Sequence, residues 1–459
     1  MVEGSPAEPH ARRRVLIVGA GVAGLTAAFR LQQAGVPFEV WEASSRAGGM
    51  VGSHDEDGFT TEAGPVGVLE DDTGAVPLAR ELGVPVVPAD PDATRRWVVR
   101  DGHLKAFPSS PLGVFNGDHL PPWRAASALL EPWRRVGRED DETVHAFLSR
   151  RFGRGVADAF SEVALVGITA GDPRSTSVDA MFPTWRTLER SHGSLLRGLI
   201  AQRKQAGKRP RKLHAFGPGR MEALVEGLHA HVRHGVHLSR PVTSLRRDGG
   251  DWVARDAQQR DGVFSHVLLA TGAQVSASLL RSVDPTLAEL LASVPYAPMR
   301  VVGLGYRRED VPHALDGYGF LVPEQPRVRS LGVLFSSSLF PNQAPRGHVH
   351  LRVLMGGVRD PDAVTLSGED ALAVATRDLQ RTLGIHARPV HVHQVTWSDA
   401  IPQYGLGHHS WAQRVKQHAA ALPGLALCGG AYGGGVGVND AVRSADEAVT
   451  PWLERLPEA

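Results

Sequence analysis

Three glycines and one acid, set at fixed spacing, carry the first chemistry in this chain. The apolar run Val15-Leu16-Ile17-Val18 enters a turn reading Gly19-x-Gly21-x-x-Gly24, and Glu42 follows 18 positions after the last glycine. In such a pattern Gly19 permits a tight turn, Gly21 lets backbone approach a pyrophosphate, and Gly24 lets a helix pack close to a strand. The free N–H groups and dipole of a helix N-terminus favour an anion at that point. Glu42 suits ribose hydroxyls and would repel a 2′-phosphate, which argues against NADP. The elements that must hold these residues are also readable. Leu25, Ala28 and Leu31 recur at helical spacing, Gly35 ends the helix, and Phe38-Glu39-Val40-Trp41 forms a second strand closed by Glu42. A glycine triplet alone is a weak signal; between strand and helix, with the acid in place, it points to a dinucleotide.

Two further segments narrow the dinucleotide. Arg46-x-Gly48-Gly49 resembles the R-x-G-G extension of FAD enzymes in the amine oxidase superfamily, where an arginine would meet the second phosphate and small residues would admit the flavin end. Near the C-terminus, Leu425–Gly430 reads as a buried strand, Ala431–Asp440 as a Gly-rich turn, and Ala441–Leu453 as a helix. That turn makes a second anion site, suited to a flavin pyrimidine that gains negative charge on reduction. FAD is therefore the expected cofactor.

The remaining composition bounds the class. The chain has 459 residues, 42% hydrophobic and 22% charged, a formal net charge of +1 and one cysteine, Cys428. This is a large globular enzyme, without the basic excess of a general nucleic-acid binder and unable to form an intramolecular disulfide. Arg12-Arg13-Arg14 precedes an apolar run, but that run is the dinucleotide strand itself, so it is not read as a cleaved signal. No apolar stretch is long enough to span a bilayer. Helices are expected at Val76–Leu82, Trp123–Arg135, Glu142–Arg151, Val156–Val166, Met221–His231 and Glu369–Leu383. Strands are expected at Val267–Gly272, Val301–Tyr306, Gly319–Val322, Leu331–Phe335, Val349–Met355 and Val390–Trp397. In Val349–Met355, apolar residues alternate with His348, His350, Arg352 and Leu354, the period of a half-buried strand.

Several segments outside the flavin motifs then resemble the protoporphyrinogen oxidase family over nearly the whole length. They are Asp141-Glu142-Thr143-Val144-His145 with Arg150-Arg151-Phe152-Gly153, and Gly167-Ile168-Thr169-Ala170-Gly171-Asp172. Phe182-Pro183, Leu188-Glu189, His192–Leu196, Ile401–His408 and the Gly430–Asp440 turn complete the set. Ser444-Ala445-Asp446 departs from the family's usual Ser-Gly. The resemblance implies an α/β plus α+β architecture in three parts. These are a discontinuous Rossmann-like FAD domain (1–89, 213–275 and 395–459), a helical domain of membrane-association type (90–212) and an antiparallel-sheet substrate domain (276–394). It implies six-electron oxidation of protoporphyrinogen IX to protoporphyrin IX, with molecular oxygen as acceptor, hydrogen peroxide as product and the flavin carrying the chemistry. No acid–base catalyst and no metal are assigned.

For the substrate, a bulky apolar macrocycle with propionate arms, the resemblance puts Arg96 on a propionate and Gly167 near the pyrrole N–H groups. Tyr318, Leu321, Leu354 and Met355 are expected to wall the ring. For the cofactor we assign Gly19, Gly21, Gly24, Glu42, Ala43, Arg46, Gly49, Gly64, Pro65, Val242, Ala270, Trp397, Gly430, Val436, Gly437 and Val438. Arg95 stands open as an alternative to Arg96. Alternatives for the activity also stand open: a coproporphyrinogen III oxidase, a flavin amine oxidase or desaturase, or a binding protein that has lost FAD. The basic run Arg203–Lys212, with six Lys or Arg in ten, reads as a solvated loop or as a contact to anionic lipid. His229, His231, His234 and His237 match no common metal spacing. Expected partners are the porphyrinogen, oxygen, a membrane surface touched from the cytoplasmic side and a second copy in a homodimer.

Overall fold

The structure is a computed structural model that describes residues 14–108, 120–121, 123, 126–137, 140–205, 211–324, 327–432 and 434–454. Its first layer is a five-stranded parallel sheet in the order Val236–His237, Phe38–Trp41, Val15–Val18, His266–Leu269, Leu425–Leu427. The central strand is apolar at every position because both faces are covered. Val15 and Ile17 join a core with the helices Val22–Gln33, Ala75–Glu81, Glu222–Val232 and Val438–Leu453, while Leu16 and Val18 join a second core on the other side. Burial on both faces is the usual state of a parallel sheet and accounts for the uninterrupted apolar runs.

The second layer is a seven-stranded sheet. Its order is His391–Pro402, Tyr296–Arg307, His348–Gly356, Gly332–Leu334, Gly317–Leu321, Arg95–Arg100, His103–Ala106. All pairings are antiparallel except that of Gly317–Leu321 with Arg95–Arg100. Three expected boundaries are corrected here. Residues 95–106 sit in this sheet rather than in a helical unit, and residues 395–402 end its edge strand. The helices Ala273–Leu280 and Pro285–Ala292 pack on the parallel sheet's second core, not on the large sheet.

The strand His348–Gly356 is also not half-buried: His350 and Arg352 are as enclosed as the apolar residues between them. The hairpin Ser53–Glu56/Phe59–Glu62 covers its polar face, with Thr61 bonded to His350.

Between residues 140 and 205 the chain is helical: Val144–Phe152, Arg154–Thr169, Val178–Met181, Pro183–His192 and Leu195–Gln205. Buried ion pairs hold these helices together. Arg151 and Glu131 are both fully enclosed and bonded, and Arg150 and Arg186 bind Glu142 and Glu189. Ahead of them, the expected helix Trp123–Arg135 is a 3-10 helix over Ala126–Trp133 containing Pro132, which lacks the N–H an α-helix needs. Residues 206–210 of the basic run lie outside the described residues. Among the described residues no helix is long and apolar enough to cross a membrane.

Candidate functional site

The first turn is built by close contact. Gly19 has φ +101°, and a Cβ there would lie 2.9 Å from the Ala270 carbonyl oxygen. A Cβ on Gly24 would lie 2.0 Å from the Gly19 carbonyl oxygen, so the helix seats on the turn only through glycine. Gly21 differs. It is the N-cap of the helix Val22–Gln33, with no side chain capping it, and a Cβ there would meet nothing within 4 Å. The side of Gly21 that a side chain would fill is thus open, at a helix N-terminus whose first N–H groups suit an anion.

At the end of the second strand, the Glu42 carboxylate accepts from Ala20 N at 2.6 Å and Ser44 N at 2.8 Å. Arg240 N donates to the Glu42 carbonyl and Ser239 N to that of Ser44, which brings the strand starting at Val242 alongside Ala43.

The Arg46 guanidinium donates to the carbonyls of Ala47, Val51 and Gly49, so it organises its own loop. That loop places Gly49 against Gly21, with a Cβ on Gly49 only 3.3 Å from the Gly21 Cα. Gly64 packs on the same loop: a Cβ there would stand 2.2 Å from the Met50 carbonyl oxygen. The segment leading to Pro65 is gripped from the large sheet. Trp397 Nε1 donates to the Ala63 carbonyl at 2.9 Å, and Arg352 donates to the Gly64 carbonyl.

The C-terminal turn is pinned by Tyr404, whose hydroxyl donates to the carbonyls of Gly430 and Gly435. Burial raises the Tyr404 phenol well above its usual range, so it remains a neutral donor. Gly429 N donates to Ser444 Oγ, and Gly437 N to Asp440 Oδ2 at 2.9 Å. Val436, Gly437 and Val438 thus lead directly into the helix Val438–Leu453. Gly433 lies outside the described residues.

The substrate-side residues divide. A Cβ on Gly167 would meet Leu321 Cδ1 at 3.2 Å, Leu321 pairs across the sheet with Gly332, and Gly332 pairs with Leu354. Leu354 shares an apolar cluster with Val166, Ala170, Met299, Leu331 and Trp397. Gly167, Leu321, Leu354 and Trp397 therefore lie along one apolar contact between the helix Arg154–Thr169 and the large sheet. Met355 does not join them. It points to the opposite face, fully buried with Val302, Val353 and Leu379, because successive strand residues face opposite ways.

Tyr318 sits at a bulge and packs toward the parallel-sheet core, with the Arg96 guanidinium 4.9 Å from its ring centroid. Arg95 pairs with Asp316, whereas Arg96 has no carboxylate partner among the described residues. The sequence named Tyr404 only within the segment Ile401–His408, with no role of its own, and did not single out Arg352. The Gly-rich neighbours of Tyr404 were a usable signal; nothing in the strand pattern marked Arg352.

The model of the flavin containing amine oxidoreductase family matches residues 22–450. The chain is 31% identical to protoporphyrinogen oxidase of Homo sapiens, over 97% of this chain and 100% of that protein. It is 26% identical to coproporphyrinogen III oxidase of Bacillus subtilis (strain 168), over 97% of this chain and 99% of that one. A crystal structure of a protein from Exiguobacterium sp. 255-15 superposes with a TM-score of 0.86 at 25% identity, covering 96% of this chain and 99% of that chain.

Proposed function

The chain belongs to the flavin containing amine oxidoreductase family, and on that premise we propose that it oxidises protoporphyrinogen IX to protoporphyrin IX, with oxygen as acceptor and hydrogen peroxide as product. It is an FAD-dependent oxidoreductase. The residues present fit that cofactor. The open side of Gly21 suits a pyrophosphate, the backbone-held Glu42 suits a ribose, and the turn from Gly430 to Val438 suits the pyrimidine end. Bound FAD would supply the electron acceptance; the chain's own residues bind, orient and exclude water. On this reading the FAD unit is assembled from stretches distant in sequence, since strands from residues 15–41, 236–269 and 425–427 share one sheet.

The observation that carries the substrate assignment is the apolar surface made by Gly167, Leu321, Leu354 and Trp397, with Arg96, which has no carboxylate partner among the described residues, over the ring of Tyr318 at the neighbouring strand. The apolar wall receives the macrocycle and Arg96 receives a propionate through paired hydrogen bonds. A substrate with additional propionates would need further free cations. Of the neighbouring arginines, Arg95 is paired with Asp316, and Arg100 and Arg359 point their guanidinium N–H groups at backbone carbonyls of Ala159, Val322 and Ser330, which leaves them fewer donors for a second propionate though not without charge. This favours protoporphyrinogen over coproporphyrinogen.

The deciding experiment supplies both porphyrinogens to the yellow holoenzyme and follows porphyrin fluorescence. Protoporphyrin should form with at least tenfold higher kcat/KM; a preference for coproporphyrinogen III would overturn the assignment.

The same reading places the protein in the cytoplasm against a membrane surface. Support comes from a cluster of exposed apolar side chains on neighbouring segments: Trp123, Leu129, Leu130, Trp133 and Ile200. Both tryptophans are about three-quarters exposed (75% and 76%). Apolar patches of this kind on a folded surface mark contact sites.

A further inference from the structure

Arg352 is 3% exposed, yet it has no carboxylate within ion-pairing distance among the described residues. Its Nη2 donates to the Gly64 carbonyl, and its Nε has no partner among the described residues. The counter-charge that acts on it is Glu62, which is 1% exposed and accepts from Ser53 Oγ and from Met221 N at 3.0 Å. Glu222 and His350 also lie in this set; Glu222 is held 3.8 Å from Arg46, and His350 is bonded to Thr61. A buried guanidinium with so few partners is costly, so it calls for an explanation beyond packing.

We propose that Arg352 is a positioning residue for the flavin, clamping the Gly64–Pro65 turn from the large sheet and lending the flavin end a positive charge that Glu62 opposes. Two bonds make the clamp, Arg352 to the Gly64 carbonyl and Trp397 to the Ala63 carbonyl; both cross from the large sheet to the Ala63–Gly64 segment, which packs at Met50 on the loop whose Gly49 touches Gly21. Trp397 and Leu354 belong to the apolar cluster proposed to receive the substrate, so the same two strands hold the turn and supply that surface. Inside a water-poor contact a fixed charge acts with little screening, and a cation there favours any neighbour that gains electrons. Burial lowers the Arg352 guanidinium to about 10, so it stays charged at neutral pH. Burial raises Glu62 to about 7, so its opposing charge grows through neutrality.

The inference rests on FAD being bound beside Gly64, and absorption of the wild-type holoenzyme checks that premise first. A colourless wild type would remove the premise; a yellow one tests the charge. The midpoint potential of the bound flavin is then measured by dye equilibration in wild type, Arg352→Gln, Arg352→Lys and Glu62→Gln, with no porphyrinogen present. Arg352→Gln should disfavour reduction about tenfold, roughly 30 mV for a two-electron couple. Arg352→Lys should restore most of that, and Glu62→Gln should shift the potential upward and remove a break near pH 7 in its pH profile. Unchanged potentials in flavin-loaded Arg352→Gln and Glu62→Gln would overturn the proposal and leave Arg352 a packing residue. If Arg352→Gln fails to hold FAD, Glu62→Gln decides alone: no upward shift overturns the proposal.

Discussion

Two glycines on one turn, Gly21 and Gly24, make opposite demands, and substitution separates them. A side chain at Gly21 would meet no protein atom, only the space where a pyrophosphate fits. Gly21→Val should therefore fold, apart from about 1 kcal/mol of lost capping preference, but its FAD content should fall at least tenfold. At Gly24 the Cβ would strike the Gly19 carbonyl oxygen, so Gly24→Ala should lose stability in the apoprotein as well as FAD. The ratio of flavin to protein absorbance, with urea unfolding of the apoprotein, distinguishes the two. Arg96→Ala should raise KM for protoporphyrinogen about tenfold or more, leaving FAD bound and the flavin potential unchanged. An unaltered KM would move the propionate contact elsewhere. At this scale the backbone geometry was readable in advance wherever the motif prescribed it. The direction of the Arg46 guanidinium was not, because whether it reaches outward or folds onto its own loop depends on the carbonyls the loop presents.

Among the elements, the helical segment depends on buried charge more than on apolar packing. Glu131 is fully enclosed, bonds Arg151, and accepts from Ser194 Oγ and Leu195 N at the start of the helix Leu195–Gln205. Removing one partner leaves the other buried without compensation, so Glu131→Ala should cost on the order of 3 kcal/mol. The urea midpoint would reveal it, and a loss below about 1 kcal/mol would mean that Glu189 suffices for Arg151. The 3-10 helix that carries Glu131 also carries exposed Trp133. Trp133→Ser should reduce sedimentation with anionic vesicles several-fold without altering the soluble enzyme's stability; unchanged sedimentation would detach this face from any membrane. Element type was legible in the long periodic stretches such as Gly368–Leu383. The pairing of Arg95–Ala106 into the large sheet was not, since two short strands carry no mark of their distant partner.

Across the whole molecule, a histidine-rich seam joins the hairpin 53–62 to the large sheet. The rings of His54 and His393 stack at 3.7 Å, and His391 stacks on Phe59. Burial lowers His350 to about 3, and also lowers His391 and His393. Each is held neutral in the fold, below its unfolded value near 6.5. Stability from the seam is thus complete above about pH 6.5 and falls as pH drops, by up to ~1.4 kcal/mol per unit for His350. Thermal unfolding between pH 8 and 5 should show the decline, and His350→Gln should flatten it; parallel profiles for the two proteins would locate the titration elsewhere. Because the hairpin continues into the turn at Gly64, FAD release should accompany the decline.

What the amino-acid order determined alone is local. The Gly19–Gly24 turn, Glu42 at its strand end and the Gly-rich approach to the last helix follow from backbone sterics within a few residues. Periodicity likewise marked Val349, Leu351, Val353 and Met355 as one face of a strand. Only the tertiary structure decided what covers the other face, because that depends on a hairpin nearly three hundred positions earlier in the chain. It turned an expected solvent-facing Arg352 into a buried cation on the flavin turn, and it sent Met355 away from the apolar cluster that Leu354 joins. A period states which side chains share a side; only the packing of distant segments states what each side meets.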